Sequence, residues 1–169
     1  MSNNNQMAGS LHESSCPDQM ATTALAARLA GIVVAGDLIA LSGGLGAGKT
    51  TFARAFIRAL LQDSTAEVPS PTSTLVQTYE TSVADVVHTD LYRLQGAEDV
   101  YDLGIEDDRP EAVFLVEWPD RMPDYWWHDA LEIRLKRPQG APAGEDEART
   151  VGFYGAAESW AERLKKVVS

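Results

Sequence analysis

The chain has 169 residues, 44% of them hydrophobic and 23% charged, and its 14 basic against 25 acidic side chains give a formal net charge of −11. One compact domain is the expectation at this length, and no apolar run approaches the roughly 18 residues that a membrane span needs. An acidic field repels phosphate backbones at long range, which argues against a direct DNA or RNA binder unless the few basic residues gather on one face.

Cys16 is the single cysteine, so no intrachain disulfide and no C-x-x-C motif is available. Residues 1–17 are rich in Asn and Ser and lack the basic and apolar regions of a signal peptide. They are expected to form a disordered tail ahead of a single domain over 18–169, and a cytoplasmic location is expected.

Asp18 is a candidate N-cap for a first helix, in which Leu25, Leu29, Ile32 and Val33 recur at helical spacing until Gly36. Leu38 to Leu41 is a short apolar run, as expected of a buried strand. Residues 49–62 place Phe52, Phe56, Ile57, Leu60 and Leu61 on one stripe of a second helix. Residues 74–80 and 83–91 read as two strands of an antiparallel hairpin turning at Thr81 and Ser82. A short helix over Gln95–Leu103 is predicted next, then a central strand over Ala112–Val116 and an alternating strand over Leu131–Leu135. A Gly/Pro/acidic loop over Gln139–Glu147, a last strand over Thr150–Tyr154 and a closing helix over 157–168 complete the chain. The intermixed elements indicate an α/β fold, with the hairpin making the sheet mixed.

Between the first strand and the second helix lies Gly43-Gly44-Leu45-Gly46-Ala47-Gly48-Lys49-Thr50, a complete match to the phosphate-binding pattern G-x-x-x-x-G-K-S/T. Glycines at these positions let the backbone turn tightly and aim N–H groups inward, and the following helix adds its positive dipole end. Lys49 is then expected on the β- and γ-phosphates and Thr50 on Mg²⁺, with Thr51 beside them. Residues 38–62 contain Lys49, Arg54 and Arg58 and no acid, a positive island in an acidic chain. Arg54 and Arg58, four apart, read more readily as an exposed helix face that aids solubility. Such a site also needs a carboxylate at a neighbouring strand end, and the candidates are Asp90 and Glu117.

The blocks 36–56, Ser70-Pro71-Thr72 within 70–80, His88-Thr89-Asp90-Leu91-Tyr92 within 88–94, and Asp102-Leu103-Gly104 with Val113 to Arg121 resemble the TsaE (YjeE) family. These are small P-loop ATPases of tRNA threonylcarbamoyladenosine synthesis. The resemblance spans residues 36–121 and implies a P-loop NTPase-like three-layer α/β sandwich with a mixed parallel/antiparallel sheet. It implies that Lys49 and Thr50 bind ATP and Mg²⁺, that Asp90 and Glu117 complete the metal shell, and that Glu117 acts in hydrolysis. It further places Ser70, Pro71 and Thr72 in a switch segment and Trp118 near the nucleotide. The implied partners are TsaD- and TsaB-type proteins, with tRNA met through that complex and neither DNA nor membrane engaged. The chain departs from the family pattern at Ser73, where an aromatic is usual, and at Thr89, where Phe is common, so less apolar packing is expected beside the switch segment.

The rival readings are a small-molecule kinase, whose lid arginines would be clustered rather than scattered as they are after residue 93, and a non-catalytic nucleotide-binding adapter. No N-K-x-D motif for guanine is present. His88 reads as a packed or capping histidine, Trp126-Trp127 as a surface anchor, and Glu106 to Asp108 as a solvated loop. Residues 98–132 hold 12 acids against Arg109 and Arg121, a net of −10 that marks a candidate face for a basic partner.

Overall fold

The computed structural model describes residues 9–140, 147–155 and 158–168. Near-continuous apolar runs make strands that are buried on both faces, and here they supply the middle of the sheet. The strands are β1 (Gly9–Cys16), β2 (Leu38–Ser42), β3 (Val76–Tyr79), β4 (Val86–Asp90), β5 (Val113–Glu117), β6 (Leu131–Lys136) and β7 (Arg149–Gly155). Among the described residues they form one sheet in the order β1-β7-β6-β2-β5-β4-β3. The central strands β6, β2, β5 and β4 run parallel, while β3, β7 and β1 are antiparallel to their neighbours.

Helices α1 (Gln19–Ala30), α2 (Lys49–Leu61) and α4 (Glu158–Val168) cover one face. Leu25, Leu29, Phe52, Phe56, Ile57 and Trp160 pack there with Ile39, Leu41, Leu115 and Ile133 of the sheet. The opposite face carries α3 (Ala97–Asp102) and the 3₁₀ turns Glu106–Asp108, Pro119–Arg121 and Asp124–His128, with Leu38, Ala40, Phe114 and Val116 beneath them. The architecture is therefore the three-layer α/β sandwich with a mixed sheet that the sequence led us to expect.

Asp18 caps α1 through a 2.8 Å bond from the Ala21 amide. The helix stops at Ala30, six residues before Gly36, because Gly31 closes it with its amide on Ala27 and Arg28 carbonyls. Gly36 instead takes φ +93° in the turn into β2. The hairpin of β3 and β4 turns without glycine because Thr81 Oγ1 accepts the amides of Val83 and Ala84 and donates to the Ala84 carbonyl.

Two expectations need correction. Residues 9–16 of the presumed tail form β1, paired with β7 from Gly9↔Gly155 to Cys16↔Arg149. Its sequence is mostly polar and half of its residues are exposed, so ladder pairing rather than local propensity makes it a strand. Residues 1–8 of that tail, and 141–146 of the predicted loop, lie outside the described residues. Trp126 is no surface anchor: it is 1% exposed and meets Phe114 edge-on at 5.5 Å. The 3₁₀ turn before β6 folds it inward, where it fills the second core.

Deleting residues 1–16 strips β7 of one of its two neighbours and removes the buried Cys16 side chain and the Leu11 contact from the core. The expected cost is about 2–3 kcal/mol, seen as a fall in Tm of roughly 5–10 °C by circular dichroism. An unchanged Tm would show that β1 contributes nothing to the fold.

Candidate functional site

Because β2, β5 and β4 are adjacent and parallel, their carboxyl ends lie side by side, and Leu41 pairs with Glu117, which pairs with Asp90. This is where open α/β sheets hold their ligands. From the end of β2 the glycine loop folds back into α2 through positive φ at Gly43 (+145°), Gly46 (+75°) and Gly48 (+104°). Gly48 precedes the first turn of α2, whose N–H groups face the loop.

A cavity of about 330 Å³ opens here, lined by residues 45–51 together with Thr72, Asp90, Glu117, Trp118 and Arg149. Of the residues singled out in the sequence, Leu45, Gly46, Ala47, Gly48, Lys49, Thr50, Thr51, Thr72, Asp90, Glu117 and Trp118 therefore converge. Gly43 and Gly44 sit behind them, and their carbonyls accept the Lys49 ammonium at 2.6 and 2.8 Å. Ser70 and Pro71 do not line the cavity; Ser70 is exposed and hydrogen-bonds Thr72 at 2.7 Å.

Lys49 is only 6% exposed, and burial holds its pKa below the usual lysine range, while the nearby carboxylates of Glu117 and Asp90 pull the other way. Its Nζ also lies 4.2 Å from the centre of the Trp118 ring. Trp118 reaches that place in a left-handed conformation, φ 55° and ψ 60°, which is costly for a bulky residue and is held by a second ring contact to Tyr92 at 4.9 Å.

Asp90 and Glu117 are 5% and 2% exposed, and each has both oxygens engaged. Asp90 accepts the Tyr92 amide at 2.9 Å and the Thr72 hydroxyl at 3.0 Å, so it caps the following turn and also tethers the 70–72 segment. Glu117 accepts the Thr50 hydroxyl at 3.2 Å and lies 2.7 Å from His88 Nε2. Thr50, Asp90 and Glu117 present hard oxygen donors, the set that suits Mg²⁺, which takes one or two carboxylates and leaves its other positions to phosphate and water. Among the described residues no group of three or more His, Cys, Asp and Glu is placed to hold a metal by itself.

The departure at Thr89 acquires a reason here. Its hydroxyl donates to the Leu75 carbonyl at 2.7 Å, and Leu75 also accepts the Asp90 amide at 3.2 Å. A hydrogen bond fastens the chain just after the switch segment, where less apolar packing is expected. Ser73 is exposed.

Two neighbours escaped the sequence reading. The sequence alone suggests a packed or capping histidine at His88, yet it stands two positions before Asp90 on β4 and so shares its face of the sheet. Arg149, at the start of β7, donates to the Ala47 carbonyl at 2.8 Å and the Gly46 carbonyl at 3.4 Å, bracing the glycine loop from a strand about a hundred residues away. Period-two alternation could have flagged His88; no local signal points to Arg149.

Arg54 and Arg58 are half-buried rather than a solubilising face: their Nε atoms donate to the carbonyls of Val68 at 3.2 Å and Ala66 at 2.9 Å, holding the chain after α2. A larger cavity of about 490 Å³ between α1 and α2 includes them, but shares only Thr51 with the glycine-loop cavity. On the far side of the sheet Asp107, Asp108 and Glu111 are exposed, while Glu106 accepts the Tyr125 hydroxyl at 2.5 Å.

Fold and glycine loop together define a P-loop α/β protein. The family model described as "Threonylcarbamoyl adenosine biosynthesis protein TsaE" matches residues 16–146, a longer stretch than the 36–121 over which the motifs resemble it, and the chain belongs to that family. Curated relatives named "tRNA threonylcarbamoyladenosine biosynthesis protein TsaE" include that of Rickettsia felis, 37% identical over 85% of this chain and 86% of its own. That of Streptomyces coelicolor is 38% identical over 81% of this chain and 92% of its own, and that of Bacillus subtilis 36% over 75% of each. Among solved structures, Bacillus subtilis YdiB has the same fold, with a TM-score of 0.69, 24% identity and 95% of both chains covered. The family role is in tRNA threonylcarbamoyladenosine biosynthesis. No described helix is long and apolar enough to cross a membrane.

Proposed function

We propose that the chain binds Mg·ATP in the glycine-loop cavity and hydrolyses it slowly, in the cytoplasm, in support of threonylcarbamoyl transfer to N6 of adenosine 37 in tRNA. The observation that carries the reading is the convergence of Lys49, Thr50, Asp90 and Glu117 on one cavity beneath a glycine loop and a helix N-terminus.

The loop amides and Lys49 would take the β- and γ-phosphates. To do so Lys49 exchanges its two carbonyl acceptors, Gly43 and Gly44, for phosphate oxygens without leaving the Trp118 ring. Thr50, Asp90 and Glu117 would hold Mg²⁺, which neutralises phosphate charge when bound. Glu117, reaching in from β5, would orient the attacking water, and Trp118 would flank the bound nucleotide. Thr72, tied to Asp90, would report phosphate occupancy to residues 70–72. Catalysis of this kind rests on positioning and charge neutralisation rather than covalent chemistry.

The partners are TsaD- and TsaB-type proteins, with tRNA met through them. The acidic bias of this chain disfavours direct RNA binding, and exposed Asp107, Asp108 and Glu111 offer a face to a basic partner surface. The test is gel filtration of the chain with TsaB- and TsaD-type proteins in Mg·ATP, in a non-hydrolysable analogue and without nucleotide. A co-eluting complex that requires nucleotide and is lost with Lys49→Ala is expected. Identical elution in all conditions would contradict the reading.

A further inference from the structure

We infer that His88 is a positioning residue for Glu117, holding its carboxylate in the one orientation from which it can aim a water at the γ-phosphate; the inference rests on the reading of Glu117 given above. A carboxylate turns freely about its last torsion, which is broad and twofold, so an aimed carboxylate must be held by its oxygens. Oε1 is held by Thr50 at 3.2 Å and Oε2 by His88 Nε2 at 2.7 Å. These two contacts do not have the same future. The Thr50 hydroxyl is the group expected to turn to Mg²⁺ when nucleotide enters, which leaves the His88 contact as the one that persists through the reaction.

The surroundings of His88 support a role beyond packing. The residue is 0% exposed, and its strand lies between β3 and β5, where it pairs with Gln77 and Leu115. A carboxylate accepts hydrogen bonds, so against an ionised Glu117 the donor of this pair is Nε2–H. Among the described residues Nδ1 has no partner. A buried ring nitrogen without a partner is destabilising, and an apolar side chain of similar shape would avoid that cost. What the imidazole gives in return is its other end, a rigid donor at the right distance from Glu117.

The full-length chain is tested as His88→Phe, which keeps ring shape without the donor, and His88→Gln, which places an amide N–H near the position of Nε2. His88→Phe should lower kcat for Mg·ATP by about 10–100-fold, the usual effect of removing an outer-shell orienting group, with KM for ATP nearly unchanged. His88→Gln should recover most of that loss, and adding His88→Phe to Glu117→Gln should slow the enzyme no further. A wild-type kcat in His88→Phe, a parallel fall of kcat and affinity, or full additivity with Glu117→Gln would overturn the proposal. If His88→Phe fails to fold, ¹⁵N imidazole spectra of the wild-type chain carry the test, with the His88 signal assigned from His88→Gln. A hydrogen-bonded Nε2–H that shifts in Glu117→Gln is expected, and an Nε2 that carries no hydrogen would overturn it. A Glu117→Gln variant with wild-type turnover would instead sink the role given to Glu117, whatever the spectra say.

Discussion

Glu117→Gln should reduce phosphate release from Mg·ATP by roughly 10²–10³-fold, the range lost when a positioned catalytic group is removed, while leaving nucleotide affinity within a few-fold. The amide keeps the size of the side chain and can still reach Thr50, so the fold has no reason to suffer. It loses the negative charge that would draw a water proton and face the metal, and one of its two ends becomes a donor. That end would meet either the Thr50 hydroxyl, which donates to Glu117, or His88 Nε2, 2.7 Å from it. Single-turnover phosphate release compared with equilibrium binding of ADP and ATP separates the two effects. A variant with normal turnover and weakened binding would make Glu117 a binding residue only.

Gly43→Ala should be the most damaging change in the glycine loop. An added Cβ would lie 2.5 Å from the Leu135 carbonyl oxygen and 3.0 Å from Ala47 Cβ, at a φ of +145° that side chains avoid. The first of these atoms is backbone of a fully buried residue in β6, so it cannot swing aside. Something in the loop must shift, at a cost of about 2 kcal/mol or more, and the Gly43 carbonyl that holds Lys49 shifts with it. The expected result is a Tm lower by roughly 5 °C and at least a tenfold loss of ATP affinity. Gly44→Ala is the control, because a Cβ there meets nothing within 4 Å and its φ is not positive. Equal damage from both substitutions, or none from either, would contradict the geometry.

The residues that were legible in the sequence are those whose chemistry is local. The glycine loop must carry glycines and Lys49 at fixed spacing, and β2 and β5 announce themselves because a strand buried on both faces is apolar throughout. Strand β1 was hidden for the opposite reason: an edge strand with a half-exposed polar sequence owes its conformation to β7, which follows it by more than 130 residues. Trp126 looked like a surface residue because nothing in a Trp-Trp pair says which way a 3₁₀ turn will face. The departure at Thr89 was legible as a loss of apolar volume but not as a gain of a hydrogen bond, since its acceptor is a backbone carbonyl in another segment. His88 and Arg149 show the same limit within the site. Their roles are set by sheet register and by the approach of β7 to the glycine loop, distances no local pattern encodes.

The most direct test of the whole account is the time course of inorganic phosphate release from Mg·ATP by the full-length chain, alone and with TsaB- and TsaD-type proteins, alongside Lys49→Ala. Slow release by the chain alone, acceleration by the partners and loss of both in Lys49→Ala are the predicted results. No release under any condition, or release that survives Lys49→Ala unchanged, would contradict the claim that the glycine loop, Asp90 and Glu117 form a working ATPase site.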